Sequence, residues 1–159
     1  DELGGFIGNA IFNEDMIFAA GAIQKGYRIA YVADAKVYHS HNYDNMTQFH
    51  RNFDNGVSQA EYPELFENIS STGEGKKLVK LTIEHLKAIN KKRLIPKLII
   101  SSGYKYIGFK LGKNYKRLSD GFILKCTMNK EYWMRKSIRN ATKNIDPYSG
   151  YGISEDERK

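Results

Sequence analysis

The apolar positions of this chain change their period along its length, and each change marks an element. Met16, Ala19, Ala20 and Ile23 recur at helical spacing, which predicts a helix from about Glu14 to Lys25. Asn13 is placed to accept from its first free N–H groups, and Gly26 supplies the left-handed position that closes it. In YRIAYV the period drops to two, with Tyr27, Ile29 and Tyr31 on one side. KVYHSH follows the Ala33-Asp34-Ala35 break, so two short strands are predicted. Asp44 then heads a second helix through Met46, Phe49, Phe53 and Val57, and Pro63 marks its boundary.

Beyond Pro63 the stretch NISSTGEG, Asn68 to Gly75, has the composition of a loop. Two helices are predicted after it. The first runs from Lys76 to Arg93 with the stripe Val79, Ile83, Leu86 and Ile89, and the second starts at about Lys97 with Ile100, Tyr104, Ile107 and Leu111. A weaker helix covers Asn129 to Thr142, and the last sixteen residues read as a frayed tail.

Charge sharpens this division. Residues 1–75 hold 4 Lys/Arg against 11 Asp/Glu, whereas residues 76–143 hold 19 against 3, a net of +16 within a chain whose total is only +7. Three segments follow: 1–72, a basic helical subdomain over 73–143, and a flexible tail over 144–159. A module so basic expects a polyanionic neighbour, either nucleic acid or an anionic membrane surface. A single cysteine, Cys126, excludes an intrachain disulfide framework and fits a small buried hydrophobe in a reducing compartment. No run of 18 apolar residues occurs. The first residue is Asp1 and DELGGF carries no leader, so the sequence is expected to begin inside a larger protein.

Two pairs of residues carry candidate chemistry. Glu14 and Asp15 stand in the first turn of their helix, where the dipole favours carboxylates in any case. A carboxylate fixed there and facing a cleft can also act as a general base on an incoming hydroxyl. His39 and His41 are two residues apart on a predicted strand, so both imidazoles would project to one face and could approach one cation; a hydrogen-bonded pair at a strand end is the plainer alternative.

The string GGF, then ED at a helix start, then GYRIAYVADAKVYHSH resembles the C-terminal half of the catalytic domain of family 2 glycosyltransferases with the GT-A fold. HSHNY and QFHRNFDNGVSQAEYPE resemble rhamnosyltransferase-like members, which build bacterial surface polysaccharides. The resemblance implies an α/β fold for residues 1–72, the acceptor-side part of a GT-A domain, followed by a mainly helical basic extension. It implies inverting transfer of a sugar, rhamnose among the candidates, from a nucleotide-sugar to a hydroxyl of a polysaccharide or polyprenyl-phosphate-linked acceptor. Asp15 would be the base, with Glu14 second, and Gly4, Gly5 and Phe6 would line the sugars. His39, with His41 second, would complete a Mg²⁺ or Mn²⁺ site on the donor diphosphate.

Gln48-Phe49-His50-Arg51 is similar to the QxxR of processive members, in which the arginine holds diphosphate; those carry Trp where this chain has Asn52. The plainer reading pairs Arg51 with a neighbouring acid. No Asp-x-Asp motif occurs, so the donor-binding half is expected upstream and the chain alone is expected to be inactive. The same resemblance places the protein in the cytoplasm, peripheral at the inner face of the plasma membrane. Tyr104, Tyr106, Phe109 and Tyr115 suit such an interface, although the apolar residues of the basic helices could instead pack on the first segment. The rival class is a non-catalytic basic interaction domain. Binding of nucleic acid ranks well below the transferase, because no nucleic-acid motif is present and the acidic first segment repels a polyanion.

Overall fold

The computed structural model describes residues 2–38, 41–66 and 71–143. These form seven α-helices and no strand. They are α1 (Glu14–Gln24), α2 (Asn45–Glu61), α3 (Pro63–Phe66), α4 (Ser71–Ala88), α5 (Ile95–Lys113), α6 (Asp120–Cys126) and α7 (Lys130–Lys143), with short 3₁₀ turns at Lys92–Leu94 and Tyr115–Arg117. None of the helices is long and apolar enough to cross a membrane.

The expected α/β GT-A layer is therefore overturned: no strand occurs among the described residues, neither at 27–32 nor in the described part of the second predicted strand, 36–38 and 41. The Tyr27 N–H closes α1 on the Ala22 carbonyl, 3.0 Å, and beyond it the backbone of residues 28–38 makes the turn bonds Ala35 N–H to the Val32 carbonyl, 3.1 Å, and Lys36 N–H to the Asp34 carbonyl, 2.9 Å. Tyr31 is 94% and Val37 86% exposed. A period of two states which side chains would share a face, but a strand forms only where a neighbour supplies a hydrogen-bonding ladder, and among the described residues none pairs with 27–38.

The described residues fall in two compact units, one within 1–128 and one from 129 onward. The core of the first is the crossing of α2 and α5. Phe49 meets Gly108 and, one turn later, Phe53 meets Gly112, so the helices run parallel with a constant offset. Glycine makes the approach possible. A methyl group on Gly108 would collide with the Phe49 carbonyl, one on Gly112 with the Phe53 carbonyl, and one on Gly56 with the backbone of Phe109 and Lys113. Phe53 and Val57 are completely buried beside this contact.

The close approach decides which face of α5 is hidden. Gly108 and Gly112 turn inward, and the apolar stripe predicted for this helix turns outward, with Ile100 54% and Ile107 55% exposed. On α4 the predicted stripe residues Val79, Ile83 and Leu86 are half-buried, while Leu78 and Leu81 are exposed. Tyr115, expected at an interface, is instead buried, and its hydroxyl donates to Glu61 Oε1 at 3.1 Å. Burial, and then the Glu61 carboxylate, push that phenol far above its ordinary pKa.

One further expectation is corrected. Ser71 to Gly75 belong to α4 rather than to a loop, since a helix nucleated in the following lysine-rich run extends backwards at only about 1 kcal/mol per glycine. The helix α6 had no periodic signal because it is only 7 residues long. In the second unit, Asn129 Oδ1 caps α7 by accepting from the Tyr132 N–H, 3.0 Å, close to the predicted start. The predicted tail, 144–159, lies outside the described residues.

Candidate functional site

The start of α1 is moored to α2. Asn13 has left-handed backbone angles, φ 62° and ψ 28°, and its side chain does not cap the helix it precedes, contrary to expectation. Its amide instead donates to Asn55 Oδ1 at 3.0 Å and to Ser58 Oγ at 3.2 Å, and the Ser58 hydroxyl donates to the Phe12 carbonyl at 2.7 Å. Arg51, Asn55 and Ser58 are spaced along one face of α2, so residues 11–13 lie along that face.

Glu14 and Asp15 follow directly, exposed in the first helical turn, where unpaired N–H groups favour negative charge. Asp15 Oδ1 accepts from the Met16 N–H at 2.8 Å. No bond from another described residue meets the second carboxylate oxygen.

The segment before α1 folds back on that helix. Gly4 and Gly5 take φ values of 71° and 74°, a left-handed pair that side chains other than glycine rarely accept. The Phe6 ring contacts Phe18 at 5.1 Å between centroids. Lys25 Nζ donates to the Glu2 carbonyl, and the Tyr27 hydroxyl donates to the Glu2 carboxylate at 2.8 Å, which holds that phenol above its usual pKa. A cavity of about 200 Å³ opens here, lined by Leu3, Gly5, Ile7, Ile17, Phe18, Gly21 and Lys25. The predicted Gly4-Gly5-Phe6 segment thus lies on the helix that carries Asp15.

Arg51 reaches the same neighbourhood from α2. Its guanidinium carbon sits 4.8 Å from the centroid of the Phe12 ring and 5.6 Å from that of Tyr43. No carboxylate pairs with it among the described residues, so the plainer ion-pair reading does not hold there. Tyr43 in turn stacks on His41, with centroids 4.8 Å apart and rings 8° from parallel. Asp44 caps α2 as predicted, its Oδ1 accepting from the Thr47 N–H at 2.7 Å. That bond lowers the Asp44 pKa. Gln48 is half-buried in the first turns of the helix and its carbonyl accepts from the Asn52 amide at 2.7 Å.

His39 lies outside the described residues. Among those described, no three His, Cys, Asp or Glu side chains converge to hold a metal ion, and the His41 ring stacks on Tyr43.

Two anchors escaped the sequence reading. Asp54, buried at 3% exposure, accepts from Thr127 Oγ1 at 2.6 Å and from the Met128 N–H at 2.9 Å. One turn before it, His50 Nδ1 donates to the Cys126 carbonyl at 2.7 Å. Together they clamp the end of α6 onto α2. Cys126 is buried as expected, and its burial, helped by the Asp54 charge, raises the thiol pKa. The second anchor is the glycine crossing. Its sequence signal was the spacing of four between Gly108 and Gly112 inside a helical pattern, a cost of about 1 kcal/mol per residue that asks for a packing reason.

Two curated proteins match the chain at 40% identity over 134 residues, which is 84% of its length. They are the O-antigen chain rhamnosyltransferases WbaN of Salmonella anatum and RfbN of Salmonella typhimurium (strain LT2). The chain spans 42% of the length of each. These relatives support the likeness to rhamnosyltransferase-like glycosyltransferases of polysaccharide synthesis carried by GGF, ED and HSHNY. No protein-family model matches the chain, and no solved structure matches it.

Proposed function

We propose that this relative of the O-antigen chain rhamnosyltransferases is part of a glycosyltransferase that moves a sugar from a nucleotide-sugar donor to a hydroxyl of a saccharide or lipid-linked acceptor. Rhamnose is the sugar in the relatives' names. The observation that carries the reading is the mooring of the α1 start. It sets an exposed carboxylate pair three residues or fewer beyond Phe12, whose ring bears an unpaired guanidinium.

Asp15 acts as general base. Its free carboxylate oxygen takes the proton of the acceptor hydroxyl as that oxygen bonds to the anomeric carbon from the face opposite the leaving group. The bond from that carbon to the donor's phosphate oxygen breaks, its electron pair departs with the nucleoside diphosphate, and the configuration inverts. Arg51 offers N–H donors to the departing diphosphate, charge stabilisation where charge develops. Gly4, Gly5 and Phe6 border the sugars, Gln48 supports the first turns of α2, and Glu14 is the reserve carboxylate.

The test is Asp15→Asn in the full-length protein. The expected result is a fall in transfer of about a hundredfold or more, the scale of a lost general base, with nucleotide-sugar binding retained. Wild-type turnover would remove Asp15 from the role.

A second part of the proposal concerns location, at the inner face of the plasma membrane. Its support is the outward face of α5, where Ile99, Ile100, Tyr104, Tyr106 and Ile107 are exposed among Lys97, Lys105 and Lys110. An anionic leaflet attracts nearby lysines by about 1 kcal/mol each, and apolar side chains between them can enter the headgroup boundary.

A further inference from the structure

We infer that Tyr43 and Phe12 are positioning residues that present the Arg51 guanidinium to a phosphate-bearing ligand. The inference rests on the reading of Arg51 as an anion-binding group and adds what makes it one. An arginine held by a carboxylate spends its N–H donors on that partner. An arginine held against aromatic faces does not, because the attraction is to the π-cloud and the five donors lie in the guanidinium plane. Arg51 is of the second kind, over two rings at 4.8 and 5.6 Å.

The backbone of Phe12 and the residue after Tyr43 are tied to the helix that carries Arg51. The Phe12 carbonyl accepts from the Ser58 hydroxyl at 2.7 Å, and its neighbour Asn13 donates to Asn55 and Ser58. Tyr43 immediately precedes Asp44, whose carboxylate caps α2 at the Thr47 N–H, and its ring is stacked on His41. The long arginine side chain is thereby restricted before a ligand arrives, which reduces the ordering cost of binding. The role also accounts for Tyr43 in the HSHNY motif.

The experiment uses the full-length protein with inorganic pyrophosphate as the probe, followed by calorimetry and as a competitor of the nucleotide-sugar. Arg51→Ala should abolish pyrophosphate binding. Tyr43→Leu should weaken it about two- to fivefold, the scale of a cation–π contact at an accessible site, whereas Tyr43→Phe, which keeps the ring, should bind like wild type. Phe12→Leu gives an independent reading of the same effect should Tyr43→Leu fail to fold. If Arg51→Ala loses binding and both ring removals leave it intact, the positioning role is wrong and the anion site stands. If Arg51→Ala binds pyrophosphate like wild type, the anion site itself falls.

Discussion

Asn13 donates its side-chain amide to Ser58 Oγ at 3.2 Å, and that same hydroxyl donates onward to the carbonyl of Phe12. A residue at the N-cap position of α1 is thus spent on holding α1 to α2 rather than on capping. This gives opposite expectations for one substitution. Were Asn13 a side-chain cap, Asn13→Asp would be neutral, since both residues cap well. As a donor to the buried Ser58 hydroxyl oxygen and the half-buried Asn55 amide oxygen it cannot be replaced by a carboxylate. Asn13→Asp should destabilise the protein by about 1–3 kcal/mol, the cost of a buried polar group left unpaired. Urea unfolding of the full-length protein measures it, and an unchanged midpoint would rule out the mooring.

The α2–α5 crossing separates two glycines of one helix. Gly112→Ala drives a methyl group into the Phe53 carbonyl, while Gly103 has nothing within 4 Å of its would-be Cβ. Alanine should therefore stabilise at position 103 by about 0.5–1 kcal/mol through helix propensity. At position 112 it should destabilise by about 1–3 kcal/mol, because overpacking outweighs that gain. Thermal unfolding of the two variants should shift in opposite directions; shifts of the same sign would mean that the helices do not meet through glycine.

What could be read from the chain was local. Asp44 with Phe49, Phe53 and Val57 specifies the start and buried face of α2, because a cap and a 3.6-residue stripe depend only on neighbours in sequence, whereas Met46 at the head of that stripe stays exposed. The same logic misjudged α5. Its Ile100, Tyr104 and Ile107 repeat at core spacing, yet the partner helix comes so near that only Gly108 and Gly112 fit against it, and the larger side chains are left outside. Strands were overread at Tyr27 to Tyr31 for a related reason: alternation is visible in one segment, whereas a ladder needs a second. At the site, Glu14 and Asp15 could be placed at a helix start from sequence. The contact of Arg51 with Phe12, 39 positions away, could not, since it depends on how Asn13 and Ser58 meet.

Acid should loosen the α2 start in a defined direction. The Thr47 N–H bond lowers the Asp44 pKa in the folded state, so the unfolded chain takes up the proton first as pH falls. The stabilisation is complete above the ordinary carboxylate value of about 4 and is lost as pH drops through the lower folded value. Asp44→Asn keeps the cap without the titration. The stability difference between wild type and this variant should be constant from pH 7 to about 5 and shift against wild type below about pH 4. A difference that does not change with pH would show that Asp44 carries no such linkage.

The outward face of α5 makes a prediction that tells lipid from nucleic acid. Both ligands would use Lys97, Lys105 and Lys110, but only a bilayer gains from Ile100 and Ile107, each more than half exposed on the same helix. Ile100→Ser with Ile107→Ser leaves every positive charge in place and removes apolar area that is not part of the α2 contact, so the fold should persist. Flotation of the full-length protein with vesicles containing anionic lipid should fall severalfold in this variant. Binding to a generic DNA duplex at matched salt should be unchanged. Wild-type flotation by the variant would mean that the exposed isoleucines do not enter the bilayer, and tighter binding to DNA than to vesicles would reverse the assignment of the basic helices.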